Sequence, residues 1–269
     1  MELADKVAVV TGGAKGIGRA LAEAFVAEGA RAVVVADVDG SAARTTAENL
    51  GERAHGTVVD VASRKAVASL VTETEKRHGP IDLFVSNAGI GSGAGLDGDD
   101  STWERIWRIN TLSHVYAAEA VLPSMLARGD GYLLSTASAA GLLSQIGDLP
   151  YSVTKHAAVA VAEWLSITYG DRGIKVSCLC PQGVNTDLLR GGLDHDSVRT
   201  VIAQGVIEPA EVAEAVIAGL REERFLILPH PEVASYYERR ATEPDRWLAG
   251  MRRLQARVAG GGAPDGRTR

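Results

Sequence analysis

The chain alternates short, valine-rich apolar runs with longer stretches in which apolar residues recur every three or four positions. Residues 6–11 read KVAVVT and run straight into two glycines. An unbroken apolar run of this length suits a strand buried on both faces of a parallel sheet. Ile17, Leu21, Ala24 and Phe25 then share one face of a helix that runs to Glu28, with Gly29 as its stop. The pattern repeats, with strands at 31–36, 55–59, 83–86, 132–136, 174–180 and 225–228. Helices fall near 63–79, 112–128 and 151–172, and another begins near Pro209. Strand followed by helix, over and over, means a parallel sheet with right-handed crossovers, an α/β architecture. Trp103, Ile106, Trp107 and Ile109 have helical spacing, which places both tryptophans in the core or at an interface, and Asn110 interrupts that stretch.

Residues 1–230 read as one domain. From Pro229 the character changes to aromatics and arginines, so 231–258 is expected to form a helical extension packed on the domain or on a neighbouring subunit. The glycine-rich 259–269 is expected to be disordered. Cys178 and Cys180 alternate with apolar residues in VSCLC and are expected on opposite faces of a strand, as reduced core thiols.

Composition narrows the function. At 269 residues and 46% hydrophobic, the chain can bury one large core. A net charge of −6 argues against nucleic-acid or anionic-membrane partners and favours small molecules. With no long apolar run, and no leader ahead of the first strand, a cytoplasmic location is expected. The six histidines are scattered, without His-Glu-x-x-His or Cys-x-x-Cys, so no metal site is expected and Asp194-His195-Asp196 reads as a solvated loop. Ser138 has no Gly-x-Ser-x-Gly turn, which sets a serine hydrolase aside.

The polar punctuation carries the chemistry. Gly12, Lys15, Gly16, Ile17 and Gly18 form a glycine-rich turn between the first strand and its helix, where backbone N–H groups and the helix dipole can receive a diphosphate. Asp37 ends the second strand, where a carboxylate accepts from adenosine ribose hydroxyls and repels a 2′-phosphate, favouring NAD over NADP. Lys15 argues mildly the other way, and Asp37 has a second reading as the cap of the next helix. Asp60-Val61 and Asn87-Ala88-Gly89 lie at carboxyl ends of strands, where ligands of open α/β sheets bind. The long loops at 90–100 and after Gln182, the latter reaching Gly205, read as flexible segments or lids at that edge. Tyr151 and Lys155 stand four apart at the start of a helix, so both project toward one space. An ammonium within roughly 4 to 6 Å would lower the phenol's pKa of about 10, and Ser138 could hold a substrate oxygen beside it.

Taken together, Thr11-Gly12-x-x-x-Gly16-x-Gly18, Asp60, Asn87-Ala88-Gly89, Asn110, Ser138, Tyr151-x-x-x-Lys155, Pro181 and Thr186 resemble the short-chain dehydrogenase/reductase family, in family order. The resemblance covers roughly residues 4–230 and implies a Rossmann-type, doubly wound sheet of about seven parallel strands. It implies that Ser138 positions the reacting oxygen, Tyr151 is the general acid or base, Lys155 tunes it and holds the nicotinamide ribose, and Asn110 holds a relay water. Asp37 and Val38 would face the adenosine ribose, Asp60 and Val61 adenine, Asn87 to Gly89 the ribose, and Pro181, Val184 and Thr186 the carboxamide. A homotetramer is implied as well.

Two departures stand out. Ser86 replaces the Asn common ahead of Asn87, and Gln182 stands where the family usually has Gly, which makes it a candidate selectivity determinant. The expected activity is NAD-dependent interconversion of a secondary alcohol and a ketone, with Leu142, Ile146, Leu149, Leu188 and Leu189 as candidate walls for an apolar substrate. An NADP-dependent ketone reductase and a non-catalytic cofactor-binding regulator stay open as alternatives.

Overall fold

The computed structural model describes residues 1–191 and 205–259. Most of the loop after Gln182, with Asp194, His195 and Asp196, lies outside them, as does the tail from 260.

Six strands come first: β1 (Val7–Thr11), β2 (Ala32–Asp37), β3 (Ala54–Val58), β4 (Leu83–Ser86), β5 (Gly131–Thr136) and β6 (Ile174–Leu179). A short pair, β7 (Gly183–Val184) and β8 (Val206–Ile207), precedes β9 (Leu226–Ile227). The main sheet has seven strands in the order β3-β2-β1-β4-β5-β6-β9, every pair parallel. The strand order reverses between β1 and β4, the switch point at which open α/β sheets bind ligands.

Both faces of the sheet are covered, and the residues divide with a period of two. Val7, Val9 and Leu133 face a core shared with α3 (Arg64–His78), α5 (Ser113–Arg128) and α7 (Leu149–Tyr169). Ala8, Val10 and Leu134 face the opposite core, built on α1 (Gly16–Ala27), α2 (Gly40–Leu50) and the helix Pro209–Arg221. This is the expected doubly wound Rossmann-type fold. The helices begin where short polar side chains satisfy free N–H groups: Asp39 for α2, Ser63 for α3 and Asp148 for α7.

Several sequence expectations change. Asp39, not Asp37, caps the helix after β2. Cys178 and Cys180 share one face, with Sγ atoms 3.8 Å apart, because residues two apart in a strand point the same way. Both thiols are free and buried. Within α4 (Asp100–Trp107) only Ile106 is buried, and Trp107 is 39% exposed, so Trp107 lies outside this chain's core and keeps only the interface half of the expectation. Asn110 interrupts the α-helical winding without a break in the chain's course: a π turn at Arg108–Leu112 carries α4 directly into α5. The loop after Gln182 contains β7 and α8 (Asp187–Arg190).

Beyond β9, the helices Glu232–Thr242 and Pro244–Ala259 fold back onto this chain. Val233 is fully buried, and Tyr236 and Trp247 pack against the same core as α5 and α7. Among the described residues, no helix is long and apolar enough to cross a membrane.

The layered core makes a direct prediction. Phe25 on α1 is fully buried whereas Leu96, in the loop after β4, is 94% exposed. Phe25→Ala should therefore cost about 3–5 kcal/mol of unfolding free energy, and Leu96→Ala should stay within about 0.5. Denaturant midpoints of the monodisperse proteins read both, and equal midpoints would contradict the packing of α1.

Candidate active site

The floor of the site is the junction of β1 and β4. Thr11 Oγ1 donates to the Val85 carbonyl at 3.1 Å and accepts from the N–H groups of Asn87 (3.0 Å) and Ala88 (3.3 Å). The Asn87 amide donates back to the carbonyls of Thr11 (3.0 Å) and Gly12 (3.3 Å). These bonds fix the two strand ends against each other. Gly12 has φ +62°, and a Cβ there would lie 2.9 Å from Ala88 Cα, so only glycine fits. Lys15, the N-cap of α1, makes no side-chain cap bond, which leaves the N-terminal N–H groups of that helix without a side-chain partner at the cap.

At the far end of the floor, Asp37 Oδ2 accepts from the Ala14 N–H at 3.1 Å and Oδ1 from the Asp39 N–H at 3.1 Å. The carboxylate is thereby held against the glycine turn. Val38 beside it is 72% exposed. Asp60 is exposed and accepts from the Ala62 N–H at 2.9 Å, while Val61 is buried. Lys15 is exposed, and its charge helps to hold the Asp39 carboxyl below the ordinary carboxylate range, after the larger effect of the Ala42 N–H.

Ser138, Tyr151 and Lys155 meet beyond the end of β5. The Ser138 hydroxyl faces the Tyr151 phenol closely enough to pull on its proton, and Ser138 Oγ accepts from the Ala140 N–H at 3.1 Å. Lys155 Nζ lies 5.7 Å from the Tyr151 ring centroid and donates to the Thr136 carbonyl at 3.0 Å. Gly89 makes room for it, since a Cβ there would stand 3.2 Å from Nζ and 3.4 Å from Asn110 Oδ1. Asn110 is fully buried, with its amide donating to the Ile90 carbonyl (2.9 Å) and Thr154 Oγ1 (3.2 Å) and accepting from the Ile90 N–H (2.9 Å). Its side chain thus braces the segment after β4 against α7. The π turn that presents it is a form that recurs at functional sites.

Burial dominates the electrostatics. It pushes the Tyr151 phenol above its ordinary pKa, against the pull of the Ser138 hydroxyl, and Asp148 pushes the same way. It pulls Lys155 down to about 8. Lys155, which the sequence argument expected to lower the phenol, is not among the groups that shift it, and desolvation sets the direction. His114, one turn after Asn110, is buried with no hydrogen-bond partner for either ring nitrogen among the described residues. Burial, and then the Lys155 charge, bring it down to about 3.

One wall of the mouth is set by Asp148, a residue the sequence reading passed over. Its carboxylate caps α7 through the Tyr151 N–H (3.0 Å) and accepts from Ser92 Oγ (2.5 Å) and from the N–H groups of Ser92 and Gly93, both at 2.8 Å. An Asp three residues before Tyr151 at a helix start was a legible cap signal. The facing wall is the Pro181–Gly183 turn, whose Pro181 carbonyl accepts from the Ala139 N–H at 2.8 Å. Val184 is buried beyond it, and Thr186 caps α8 by accepting from the Leu189 N–H. Leu149 and Leu188 are exposed, and Ile146 and Leu189 partly so. Leu142 is instead turned into the core, at 3% exposure.

A family model described as short chain dehydrogenase matches residues 6–196. The chain belongs to the short-chain dehydrogenase/reductase family. Membership makes it an oxidoreductase of that family. This short-chain dehydrogenase/reductase resembles one from Burkholderia phymatum, solved in complex with NAD, with a TM-score of 0.83 at 27% identity, over 91% of this chain and 96% of that one. It is 32% identical to 17-beta-hydroxysteroid dehydrogenase 13 of Rattus norvegicus, over 94% of this chain and 84% of that protein. It is 31% identical to 3beta-hydroxysteroid dehydrogenase 2 of Eggerthella lenta, over 69% of this chain and 74% of that protein. Among the described residues, no group of three His, Cys, Asp or Glu side chains could hold a metal ion.

The buried lysine gives the second prediction. Lys155 loses its proton near pH 8 in the fold and near 10.5 when free. Between those values the unfolded chain binds more protons, so the cost of burying Lys155 is full below pH 8 and fades as pH rises to 10.5. Lys155→Met should remove that gain, roughly 3 kcal/mol at full extent. Urea midpoints of both proteins across the window measure it, and parallel curves would show that Lys155 titrates normally.

Proposed function

We propose that this short-chain dehydrogenase/reductase uses NAD to interconvert a secondary alcohol and a ketone. The observation that carries the reading is the cluster itself: the Ser138 hydroxyl acts on the Tyr151 phenol, and the Lys155 ammonium lies buried 5.7 Å from the phenol ring. The surrounding residues fit a dinucleotide. The uncapped start of α1 with Gly12, Lys15, Gly16, Ile17 and Gly18 would hold the diphosphate, and the Asp37 carboxylate with Val38 would meet the adenosine ribose. Asp60 and Val61 would border adenine, Asn87 to Gly89 the nicotinamide ribose beside Lys155, and Pro181, Val184 and Thr186 the carboxamide. A 2′-phosphate would lie against Asp37, which favours NAD, while the exposed Lys15 can turn into solvent.

The bound nicotinamide supplies the hydride chemistry. The protein supplies position and protons. Ser138 holds the substrate oxygen beside the phenol, and Tyr151 gives that oxygen its proton in reduction or takes it in oxidation. With burial holding the phenol neutral, the free chain is poised as a proton donor, and oxidation should be favoured as pH rises from neutral. Lys155 places a positive charge behind the phenolate, and Asn110 keeps the strand end that faces Lys155 in register.

Leu149, Leu188, Ile146 and Leu189 around the mouth support a substrate with an apolar body. Val153, Trp164 and Ile167 form an exposed apolar stripe along α7, which supports self-association and the homotetramer that the family implies.

Turnover of a panel of secondary alcohols with NAD, and separately with NADP, tests the reading. Tyr151→Phe should lower kcat by about 10²- to 10⁴-fold while NADH still binds, and NAD should show the lower KM. An active Tyr151→Phe protein would refute the role of the phenol, and a lower KM for NADP would reverse the cofactor assignment. Gln182→Gly should change the relative kcat/KM values across the panel; unchanged ratios would remove Gln182 from substrate selection.

A further inference from the structure

The Pro181–Gly183 turn stands between the two halves of the site. Its Pro181 carbonyl accepts from the Ala139 N–H and, at 3.5 Å, from Ser138 Oγ. On its other side Gly183 and Val184 form β7, which leads to Thr186. The backbone of the turn is also bonded to a residue 48 positions away in sequence. His230, at 4% exposure just after β9, has its Nδ1 3.1 Å from the Gln182 nitrogen and its Nε2 3.1 Å from the Gly183 carbonyl oxygen.

These partners determine the state of the ring. A backbone N–H can only donate, so Nδ1 must carry the lone pair; a carbonyl can only accept, so Nε2 must carry the hydrogen. His230 is therefore the neutral Nε2–H tautomer, with both ring nitrogens committed to backbone groups of the same turn. An imidazolium would turn an N–H toward the Gln182 N–H, donor against donor.

We infer that His230 is a positioning residue for the active site, setting the Pro181–Gly183 turn in the conformation that would receive the nicotinamide end of the cofactor. The inference rests on the proposed cofactor role of that turn. The geometry also makes the turn sensitive to acid. Glu232 on the helix that follows His230, and Glu211 on the helix Pro209–Arg221, are the charged groups facing the ring, and both favour its protonation, as does the Gly183 carbonyl. Burial opposes them and prevails, holding His230 below the ordinary histidine range. The turn should thus keep its form at neutral pH and lose it under acid.

The two bonds can be separated. Asn in place of His230 offers an acceptor near Nδ1, and Gln offers a donor near Nε2. NADH affinity, followed by fluorescence from neutral to acid pH, should weaken about tenfold in His230→Gln, and the acid weakening of the wild type should be absent in His230→Asn. Thermal midpoints accompany each titration, and affinity lost only in step with unfolding would overturn the inference. So would variants whose NADH affinity and pH profile match the wild type. Independently of any cofactor, long-range nitrogen–proton NMR of isotope-labelled histidine should show one ring fixed as the Nε2–H tautomer, absent from both variants. A His230 ring that exchanges between tautomers would also overturn the inference. Failure of the wild type to bind NADH, with the fixed tautomer present, would instead count against the cofactor reading.

Discussion

Parallel pairing forces every strand-to-helix turn of the sheet to open at one edge, and the site is a consequence of that constraint. Residues far apart in sequence become neighbours there. A Cβ on Gly16 would lie 3.0 Å from Thr186 Cγ2, and one on Gly89 would meet both Lys155 and Asn110. The edge is fastened at the switch point, where Asn87 and Thr11 exchange hydrogen bonds between β4 and β1. A second fastening is Asp148, which ties the loop after Gly91 to the first turn of the tyrosine helix.

Holding polar chemistry at such an edge is expensive. Lys155 is 3% exposed, with the Thr136 carbonyl as its acceptor, and it neighbours a buried His114 without hydrogen-bond partners among the described residues. Groups of this kind weaken a fold unless packing elsewhere compensates. The two apolar layers, one on each face of the sheet, supply that compensation. The polar cluster persists because the packed walls around it hold its members in place.

What could be read from the sequence follows the range of the forces involved. The valine-rich strands were legible because a doubly covered parallel strand has no polar face to disguise it. Tyr151 and Lys155 were legible because four residues make about one helical turn. By contrast α2, GSAARTTAENL, buries only small side chains, Ala43, Thr46 and Ala47, and β7 and β8 are two residues each. The shared face of Cys178 and Cys180 follows from strand periodicity and was misjudged at the sequence level. His230 was not legible at all, since its partners at Gln182 and Gly183 are fixed only by the third dimension. The same holds for the outward-facing Trp107 and the inward-facing Leu142, whose hydrophobicity says nothing of which neighbour arrives.

The π turn at Arg108–Leu112 joins α4 and α5 into one rod that changes phase without a break. Such a turn closes one residue later than an α-helical turn, and one residue of an α-helix is about 100° of rotation. The faces before and after it are therefore clocked independently: Ile106 is set into the core on one side, and His114, Tyr116 and Val121 on the other. Removing a single residue from this segment would restore even winding and rotate the whole of α5 against the sheet, whatever the side chains involved. The number of residues between Ile106 and Tyr116 is in this sense as much a part of the site as any of its functional groups.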